Sequence, residues 1–129
     1  MRLIADDILG VITVWMEAEG EDIQGKVMVA EVILTRARKK GRSIGEVVLA
    51  LKQFSEWNEN DPRSIRALLL DDDTAIVQEC VRAWTTARHG STFAQLADHY
   101  HATYIDPPPA WAAGMKVVAR HGGHIFYKS

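Results

Sequence analysis

Five consecutive residues, Glu17-Ala18-Glu19-Gly20-Glu21, carry the strongest candidate for chemistry in this chain. Apolar residues before them recur at helical spacing, so a helix is predicted to lead into the stretch, and Gly20 is of the type that commonly ends a helix in the left-handed conformation. Glu17 would then lie in the last helical turn, where the macrodipole is negative and where Glu19 and Glu21 add like charge. Both effects favour the protonated carboxyl group, which general acid catalysis near neutral pH requires. We therefore take Glu17 as the candidate catalytic residue.

The predicted helix leaves open whether Glu17 borders solvent or a ligand. The apolar stripe of this helix runs through Ile4, Ile8, Ile12 and Trp15. At about 100° per residue, Glu17 lies roughly opposite Ile8 and shares its face with Asp6, Gly10 and Thr13. Such a face is most often simply solvated. The alternative is a cleft wall, in which Gly10 would allow a ligand or another backbone to come close.

A second carboxylate, Glu31, interrupts the apolar run at residues 27–34. A charge buried in a protein core needs a partner, so a structural ion pair, for example with an arginine, is the favoured interpretation. The alternative is that Glu31 is a second active-site carboxylate. Glu19 is a further candidate for that role because it lies two residues after Glu17.

Composition limits the classes of protein that the chain can belong to. Its 129 residues suffice for one domain with a sizeable core, and 47% hydrophobic and 25% charged residues are ordinary for a globular protein. Fifteen basic and 17 acidic residues give a net charge of −2, so no nucleic-acid partner is expected. No stretch reaches the length of a membrane span, so no membrane insertion is expected. The single Cys80 cannot form an internal disulfide.

The remaining pattern predicts mainly helices, followed by a small sheet. Helices are predicted at residues 23–39, with Gly41 as the C-cap, from Ser43, which has capping-box spacing with Glu46, at residues 61–70, and from the acidic residues 71–73 to Gly90. Residues 98–105 alternate as in a strand, residues 110–118 have helical spacing, and residues 122–127 form a second strand that pairs with the first. We expect one α+β domain over residues 1–129, mainly helical, with a small C-terminal antiparallel sheet.

Two segments have the composition of binding sites. In Gln53-Phe54-Ser55-Glu56-Trp57-Asn58, polar and aromatic residues alternate without a regular period, as in loops that bind ligands. Exposed aromatic rings stack on the apolar faces of sugars, and amides bond to sugar hydroxyl groups. The alternative is that Phe54 and Trp57 only fix the loop to the core. In the predicted strand, His99 and His101 share one face and Tyr100 lies on the other.

The motifs, taken in order, resemble those of a known family. Glu17-Ala18-Glu19-Gly20-Glu21 and residues 25–36 are similar to the patterns E-A-R-G-E and G-Q-x-x-V-A-x-V-I-L-N-R, and residues 53–55 are similar to Q-F-S. Residues 98–102, 109–112 and 123–127 look like closing elements of the same family. This is the cell-wall hydrolase family typified by spore cortex-lytic enzymes, and the closing elements resemble its bacteriophage versions in particular. Two departures from the patterns matter most: Glu19 replaces an arginine, and Thr35 replaces an asparagine.

The resemblance implies a lysozyme-like fold and cleavage of the glycan strands of peptidoglycan, with Glu17 as catalytic acid and base. It implies no cofactor and no metal, and we expect a monomer whose partner is the glycan strand. From the aromatic, amide and imidazole content of the matching segments we expect eight residues to bind substrate: Gln53, Phe54, His99, Tyr100, His101, Trp111, His124 and Tyr127. Of these, Gln53, Tyr100 and Tyr127 are expected to line the same cleft as Glu17.

The number of carboxylates bears on the mechanism. A retaining or inverting glycosidase uses two, one on each side of the scissile bond. With Glu17 alone assigned, the route implied by the family is lytic transglycosylation, in which Glu17 protonates the glycosidic oxygen and then accepts the proton of the muramic acid C6 hydroxyl group. If Glu19 or Glu31 faces the cleft, hydrolysis by a muramidase mechanism becomes the alternative.

Two other classes of function are compatible with the residues. His99, His101 and His124 could supply three ligands to zinc, with Glu17 as the base, in an amidase that cuts the peptide from the glycan. A wall-binding or virion structural module could use the same aromatic residues without any chemistry.

The biological setting is also an expectation from the sequence. The first residues contain no secretion signal. This favours a bacteriophage endolysin that stays in the host cytoplasm until lysis and then acts on the cell wall. A virion-borne enzyme and a bacterial housekeeping enzyme are the alternatives.

Overall fold

The computed structural model describes residues 5–50 and 75–129, and these ranges form four α-helices, one 3₁₀ helix and three β-strands. Their bounds are α1 Ala5–Ala18, α2 Ile23–Lys40, α3 Ile44–Leu49, α4 Ala75–Arg88, β1 His99–Ala102, the 3₁₀ helix Ala110–Gly114, β2 Lys116–His121 and β3 His124–Lys128. The fold is predominantly helical with a small antiparallel sheet, as predicted. The predicted loop at residues 53–58 and the predicted helix at residues 61–70 lie outside the described residues.

Helix α2 is the central element of the core, because helices α1, α3 and α4 and strand β1 all pack against it. Val29, Val32 and Ile33 on this helix are completely buried. The side chain of Asp22 caps its amino terminus by accepting a hydrogen bond from the Gly25 N–H at 2.8 Å. The predicted helix at residues 23–39 is therefore confirmed to within one residue. In the described part of the chain, no helix is both long enough and apolar enough to cross a membrane.

The end of α2 and the start of α3 also agree with the capping residues predicted from the sequence. Gly41 ends α2 in the left-handed conformation, with φ of 61°. Ser43 and Glu46 then form the predicted capping box at the start of α3, because each side chain bonds to the backbone N–H of the other residue at 3.0–3.1 Å.

The orientation of helix α1 differs from the prediction. Ile8, assigned to the buried stripe, is 46% exposed, whereas Gly10 and Thr13 on the opposite face are buried. The buried polar residue of that face is hydrogen-bonded within the helix, because Thr13 Oγ1 donates to the Leu9 carbonyl at 2.7 Å. Asp7, also buried, accepts a hydrogen bond from the indole N–H of Trp84 at 2.8 Å. The helix therefore turns this face toward α4.

Gly10 serves the packing of Trp84 rather than the approach of a ligand. A Cβ atom at residue 10 would lie 2.3 Å from Cη2 of the Trp84 indole. The other glycine prediction on this helix was wrong, because Gly20 does not adopt the left-handed conformation, which the described glycines adopt at Gly41, Gly90 and Gly122. Helix α1 ends at Ala18, and its carbonyl accepts the Glu21 N–H at 3.0 Å.

The sheet has three strands in the order β1-β3-β2, one strand more than predicted. Residues 110–118 were predicted as one helix, but the helical part ends at Gly114 and β2 begins at Lys116. The β-branched residues Val117 and Val118 suit a strand, and the turn at Gly122-Gly123 lets β2 fold back onto β3. The first strand is also shorter than the predicted residues 98–105.

The register of the sheet decides which side chains share a face. Tyr100 pairs with Phe126, and Ala102 pairs with His124, so these four residues lie on one face. Phe126 belongs to the hydrophobic core and Tyr100 packs against it, so this inner face contacts the helices. His99, His101 and Tyr127 lie on the other, outer face.

Glu31 is buried and holds the loop between α4 and β1. Its carboxylate accepts hydrogen bonds from the Ser91 hydroxyl group and from the backbone N–H groups of Phe93 (3.1 Å) and Ala94 (2.7 Å). A buried charge with partners was predicted, but those partners are a hydroxyl group and two amides instead of an arginine. In the same loop, Gln95 and Leu96 have positive φ of 56° and 63°, which L-residues rarely adopt.

The contact between Gly10 and Trp84 predicts the effect of a single methyl group. Gly10→Ala should destabilise the protein by about 2 kcal/mol, because the added carbon cannot be accommodated without moving a buried indole. Denaturant unfolding measures this difference. The matched control is Gly114→Ala, since a Cβ at residue 114 meets nothing within 4 Å. Equal stability of both variants would contradict the proposed packing role.

The loop contacts of Glu31 predict a second effect on stability. Glu31→Gln replaces an acceptor oxygen by an amide N–H₂ group that faces backbone N–H donors, so we expect a loss of about 2 kcal/mol. Amide hydrogen exchange should become faster at Phe93 and Ala94. The control is Glu46→Gln, because glutamine also fits the exposed capping-box position of Glu46. Unchanged exchange in the loop would show that the charge of Glu31 does not hold it.

Candidate active site

Glu17 lies in the last turn of α1, as predicted, one residue before the helix ends at Ala18. Its side chain is partly exposed, so it is accessible from solvent while its neighbours Met16 and Ala18 are buried. The chain then turns and enters α2 at Ile23. Glu17 is thus placed at the corner between the first two helices.

A buried arginine joins α2 to the start of β1. Arg36 on α2 is 7% exposed, and its Nε and Nη2 groups both donate to the Asp98 carbonyl oxygen, at 3.0 and 2.8 Å. Burial lowers the pKa of Arg36. Electrostatic interactions with Tyr100, Asp98 and Glu17 partly oppose this effect. The guanidinium group therefore fixes the residue that precedes β1 against α2.

The contact between Arg36 and the Asp98 carbonyl group was not predicted from the sequence. The signal that could have pointed to Arg36 is its position, since it closes the motif-like residues 25–36 just after the apolar run.

Asp98, which precedes β1, is itself held by a network of hydrogen bonds. Its carboxylate contacts Lys39 Nζ at 2.7 Å, His99 Nδ1 at 3.0 Å and the Ser129 N–H at 3.0 Å. Burial alone would raise the pKa of Asp98, but the hydrogen bonds from His99, Lys39 and Ser129 outweigh it and hold the pKa well below its usual range. The Asp98 carboxylate is therefore ionised and held in place. The same contacts fix the position of the Asp98 backbone carbonyl group, which accepts the hydrogen bonds from Arg36.

The hairpin between β2 and β3 is attached to the corner through Glu21. The Gly123 N–H donates to Glu21 Oε1 at 3.0 Å, and His124 Nδ1 lies 3.7 Å from the same oxygen. A second contact joins His121 Nε2 to Asp22 Oδ1 at 2.7 Å. These contacts fix the inner face of the sheet relative to the segment that contains Glu17.

His124 contributes a buried imidazole to this inner face. Its ring lies 5.0 Å from that of Tyr100 in an edge-on arrangement. Burial lowers the pKa of His124, and the charge of Glu21 opposes this in part. Within residues 5–50 and 75–129, its Nδ1 atom is buried and has no hydrogen-bond partner. The ring is thus held in its neutral form beside Tyr100.

Glu19 interacts with a different set of residues from Glu17. The pKa of Cys80 on α4 is raised to about 11 by burial, and the charges of Glu79 and Glu19 add to this effect while Lys26 opposes it. Lys26, which stands at the glutamine position of the family-like motif, is 3% exposed and contacts Glu79 at 2.8 Å and the Glu21 carbonyl at 2.6 Å. The charge of Glu19 therefore acts on Cys80 of α4, together with the charge of Lys26, whereas the charge of Glu17 acts on Arg36.

Four of the predicted binding residues form a separate cluster on the outer face. The ring centroids of His99 and His101 lie 5.1 and 5.8 Å from that of Trp111, and Tyr127 lies 5.3 Å from Trp111. Tyr127 was expected to line the same cleft as Glu17 and Tyr100, but strand alternation directs the two tyrosines to opposite faces. Gln53 and Phe54 lie outside the described residues. Glycan binding by all eight residues stays a prediction.

The three histidines considered as zinc ligands do not converge. His101 is bonded through Nδ1 to the Ala102 carbonyl at 2.8 Å and through Nε2 to the Tyr127 hydroxyl group at 2.7 Å. His99 bonds to Asp98, and His124 lies on the inner face, across the sheet from both. In the described part of the chain, no three His, Cys, Asp or Glu side chains are placed to hold a metal ion.

A cavity of about 550 Å³ lies at the far end of the helices from Glu17. It is lined by charged residues, among them Asp6, Arg38, Arg42 and Arg88. Asp6 precedes Glu17 by eleven residues on α1, which corresponds to about 16 Å along a helix. This cavity is therefore distinct from the corner that contains Glu17.

Comparison with solved structures supports the predicted lysozyme-like fold. The chain is similar to the catalytic domain of the Bacillus cereus SleB protein, with a TM-score of 0.78, 22% identity, and coverage of 98% of this chain and 93% of that chain. It is equally similar to the catalytic domain of the germination-specific lytic transglycosylase SleB from Bacillus anthracis, with a TM-score of 0.77, 22% identity, and coverage of 98% and 97%. Comparison with curated proteins gives no match.

The model of the cell wall hydrolase family matches this chain over residues 20–127. The match begins three residues after Glu17, so it covers the residues that surround the candidate catalytic group but not that group itself. It includes Arg36, Asp98, Tyr100 and His124. Because the matched region spans most of the 129 residues, this chain belongs to the cell wall hydrolase family.

Proposed function

We propose that this protein cleaves the glycan strands of peptidoglycan, with Glu17 as general acid and then as general base. The observation that carries the proposal is the position of Glu17: a partly exposed carboxyl group in the last turn of α1, just before residues 21 and 22, which bind the β2–β3 hairpin. Membership of the cell wall hydrolase family supports the substrate class. The resemblance to a SleB catalytic domain described as a lytic transglycosylase supports the bond that is cut.

The inner face of the sheet supplies the opposite wall of the proposed site. Tyr100 extends from β1 on the side of Arg36, and His124 supports its ring. A tyrosine offers both a ring surface for a sugar and a hydroxyl group for hydrogen bonding. We therefore propose that Tyr100 contacts the glycan near the scissile bond and that His124 holds Tyr100 in place.

Among the residues that the structure describes, three carboxylates already have structural partners, which favours a mechanism with one carboxyl group. Glu31 accepts three hydrogen bonds from the loop, Glu21 binds the hairpin, and Asp98 is bonded to Lys39 and Ser129. A hydrolase of the usual type needs a second free carboxylate about 5–5.5 Å or 6.5–9.5 Å from the acid. Lytic transglycosylation needs only Glu17, acting twice.

The proposed reaction has two proton transfers and no external nucleophile. Glu17 first donates its proton to the glycosidic oxygen as the bond to the muramic acid C1 breaks. The resulting carboxylate then accepts the proton of the C6 hydroxyl group, whose oxygen forms the new bond to C1. The product is a 1,6-anhydromuramic end, and Glu17 is again protonated. Hydrolysis with Glu19 as second carboxylate is the alternative mechanism, and the bacteriophage lysis role stays a prediction.

The role of Glu17 is tested by removing its proton. Glu17→Gln keeps the size of the side chain but cannot donate a proton, so we expect at least a hundredfold loss of activity with an unchanged fold. The measurements are release of soluble fragments from purified peptidoglycan and thermal unfolding by circular dichroism.

Glu19→Gln is the matched control, because it removes a charge two residues away and leaves Glu17 intact. The assignment fails if Glu17→Gln unfolds normally and retains activity within tenfold of the wild-type protein.

The chemistry is tested by the products. Digestion in ¹⁸O-labelled water should give anhydromuramic ends that carry no label and are lighter than the hydrolytic product by one water. Mass spectrometry reads both properties. Label in the new reducing ends would instead show hydrolysis, and would direct attention to Glu19. Free stem peptides with intact glycan would show amidase activity and overturn the proposed function.

A further inference from the structure

We propose that Lys26 is a positioning residue of the active site, whose ammonium group holds the turn after Glu17 against α4 and so sets where that turn binds the β2–β3 hairpin. The inference rests on the proposed function, since it assumes that cleavage depends on Glu17. Lys26 lies in the first turn of α2, directly after the corner, and is 3% exposed. Because it is buried, it acts through other residues rather than on the substrate.

The ammonium group of Lys26 joins two separate parts of the fold. Its Nζ atom donates to the Glu21 backbone carbonyl oxygen at 2.6 Å and to Glu79 Oε1 at 2.8 Å. Glu21 belongs to the turn between α1 and α2, whereas Glu79 lies on α4. The turn is therefore attached to α4 through a side chain of α2.

Glu21 extends this attachment in two directions. Its N–H donates to the carbonyl oxygen of Ala18, the residue next to Glu17, at 3.0 Å. Its carboxylate accepts the Gly123 N–H at 3.0 Å. One residue thus binds Lys26 through its carbonyl group, the end of α1 through its N–H group and the hairpin through its side chain. A continuous series of hydrogen bonds therefore connects Lys26 to the end of α1 and to the hairpin.

Helix α1 has a separate attachment to α4 near its other end. Asp7 accepts the indole N–H of Trp84 at 2.8 Å, and Arg88 Nε lies 3.2 Å from Asp7 Oδ1. Lys26 supplies a second point of attachment to the same helix, at the end of α1 where Glu17 lies. Two contacts at opposite ends fix the direction of a helix better than one contact does.

The ion pair itself is weak evidence for a contribution to stability. The side chains of Lys26 and Glu79 are 4% and 32% exposed. Two apolar side chains in place of such a pair often leave a protein equally stable, whereas a buried charge that loses its partner costs about 3–5 kcal/mol. An apolar side chain cannot donate a hydrogen bond to the Glu21 carbonyl group. We therefore assign to Lys26 the position of the turn and not only the stability of the fold.

The inference is tested with two variants that separate stability from position. Lys26→Met/Glu79→Leu removes both charges, so no unpaired charge remains, but the Glu21 carbonyl group loses its donor. Glu79→Gln is the matched control, because it removes the ion pair and keeps an acceptor oxygen, so that Lys26 still donates to Glu21. We expect the free energy of unfolding of the double variant to be close to that of wild-type protein, and that of Glu79→Gln to be lower.

The first readout is the kinetics of cleavage of soluble peptidoglycan fragments, measured well below every unfolding transition. We expect kcat to fall about tenfold in the double variant with little change in KM, because a misplaced acid slows the chemical step. Glu79→Gln should keep the kcat of wild-type protein although it is the less stable variant. A role in stability alone predicts the opposite order. Wild-type kcat in the double variant, or an equal loss of kcat in both variants, would overturn the inference.

The second readout needs no activity. Loss of the Lys26 contact should loosen Glu21, so amide hydrogen exchange at Gly123 should become about tenfold faster in the double variant and stay unchanged in Glu79→Gln. Exchange at the buried Val32 measures global stability in the same samples. Unchanged exchange at Gly123 in the double variant would overturn the inference. Faster exchange there, if wild-type protein does not cleave peptidoglycan, would support the placement of the hairpin by Lys26 and refute the proposed function instead.

A measurement on wild-type protein covers the case in which the double variant fails to fold. NMR should show a scalar coupling across the hydrogen bond between Lys26 Nζ and the Glu21 carbonyl carbon. Absence of this coupling would overturn the inference without any substitution.

Discussion

The contact between the Arg36 guanidinium group and the Asp98 carbonyl oxygen joins the helices to the sheet. Arg36 belongs to the central helix α2, and Asp98 is the last residue before β1. The carbonyl oxygen is uncharged, so these are hydrogen bonds to a charged group, which contribute about 1.5–3 kcal/mol each. The carboxylate of Asp98 also binds Lys39 and the backbone of Ser129. Because Asp98 precedes β1 and Ser129 follows β3, these contacts hold the first and the last residue of the sheet region beside α2. The position of Tyr100 relative to Glu17 depends on this junction.

Elements with local end signals could be predicted from the sequence. The bounds of α2 follow from the Asp22 and Gly41 caps, and the start of α3 follows from the Ser43 capping box. The terminal position of Glu17 on α1 was also predicted, although Gly20, on which the prediction relied, does not adopt the left-handed conformation. These signals are local, since each involves residues at most four positions apart.

Features that depend on tertiary partners could not be predicted in this way. Helical periodicity assigned Ile8 to the core, but hydrogen bonding between Asp7 and Trp84 turns the other face of α1 inward. Helical spacing at residues 110–118 also led to the prediction of a helix where β2 begins, because the strand that pairs with β2 lies beyond the next turn. A paired charge, for example with an arginine, was expected for Glu31, yet its carboxylate is bonded to a hydroxyl group and two backbone amides. In each case a tertiary contact, which a local sequence pattern does not show, determines the structure.

The turn at Gly122-Gly123 illustrates how residues far apart in the chain constrain each other. Gly122 has φ of 53°, and a Cβ atom there would lie 2.2 Å from Glu21 Oε1. The hairpin therefore closes against a carboxylate contributed by the opposite end of the sequence. A side chain at residue 122 would have to displace this carboxylate from its bond to Gly123 and would also be strained by the positive φ, so a change at either residue alters what the other position accepts. Anyone who grafts a different hairpin onto this scaffold inherits the same dependence and must redesign both positions as one unit.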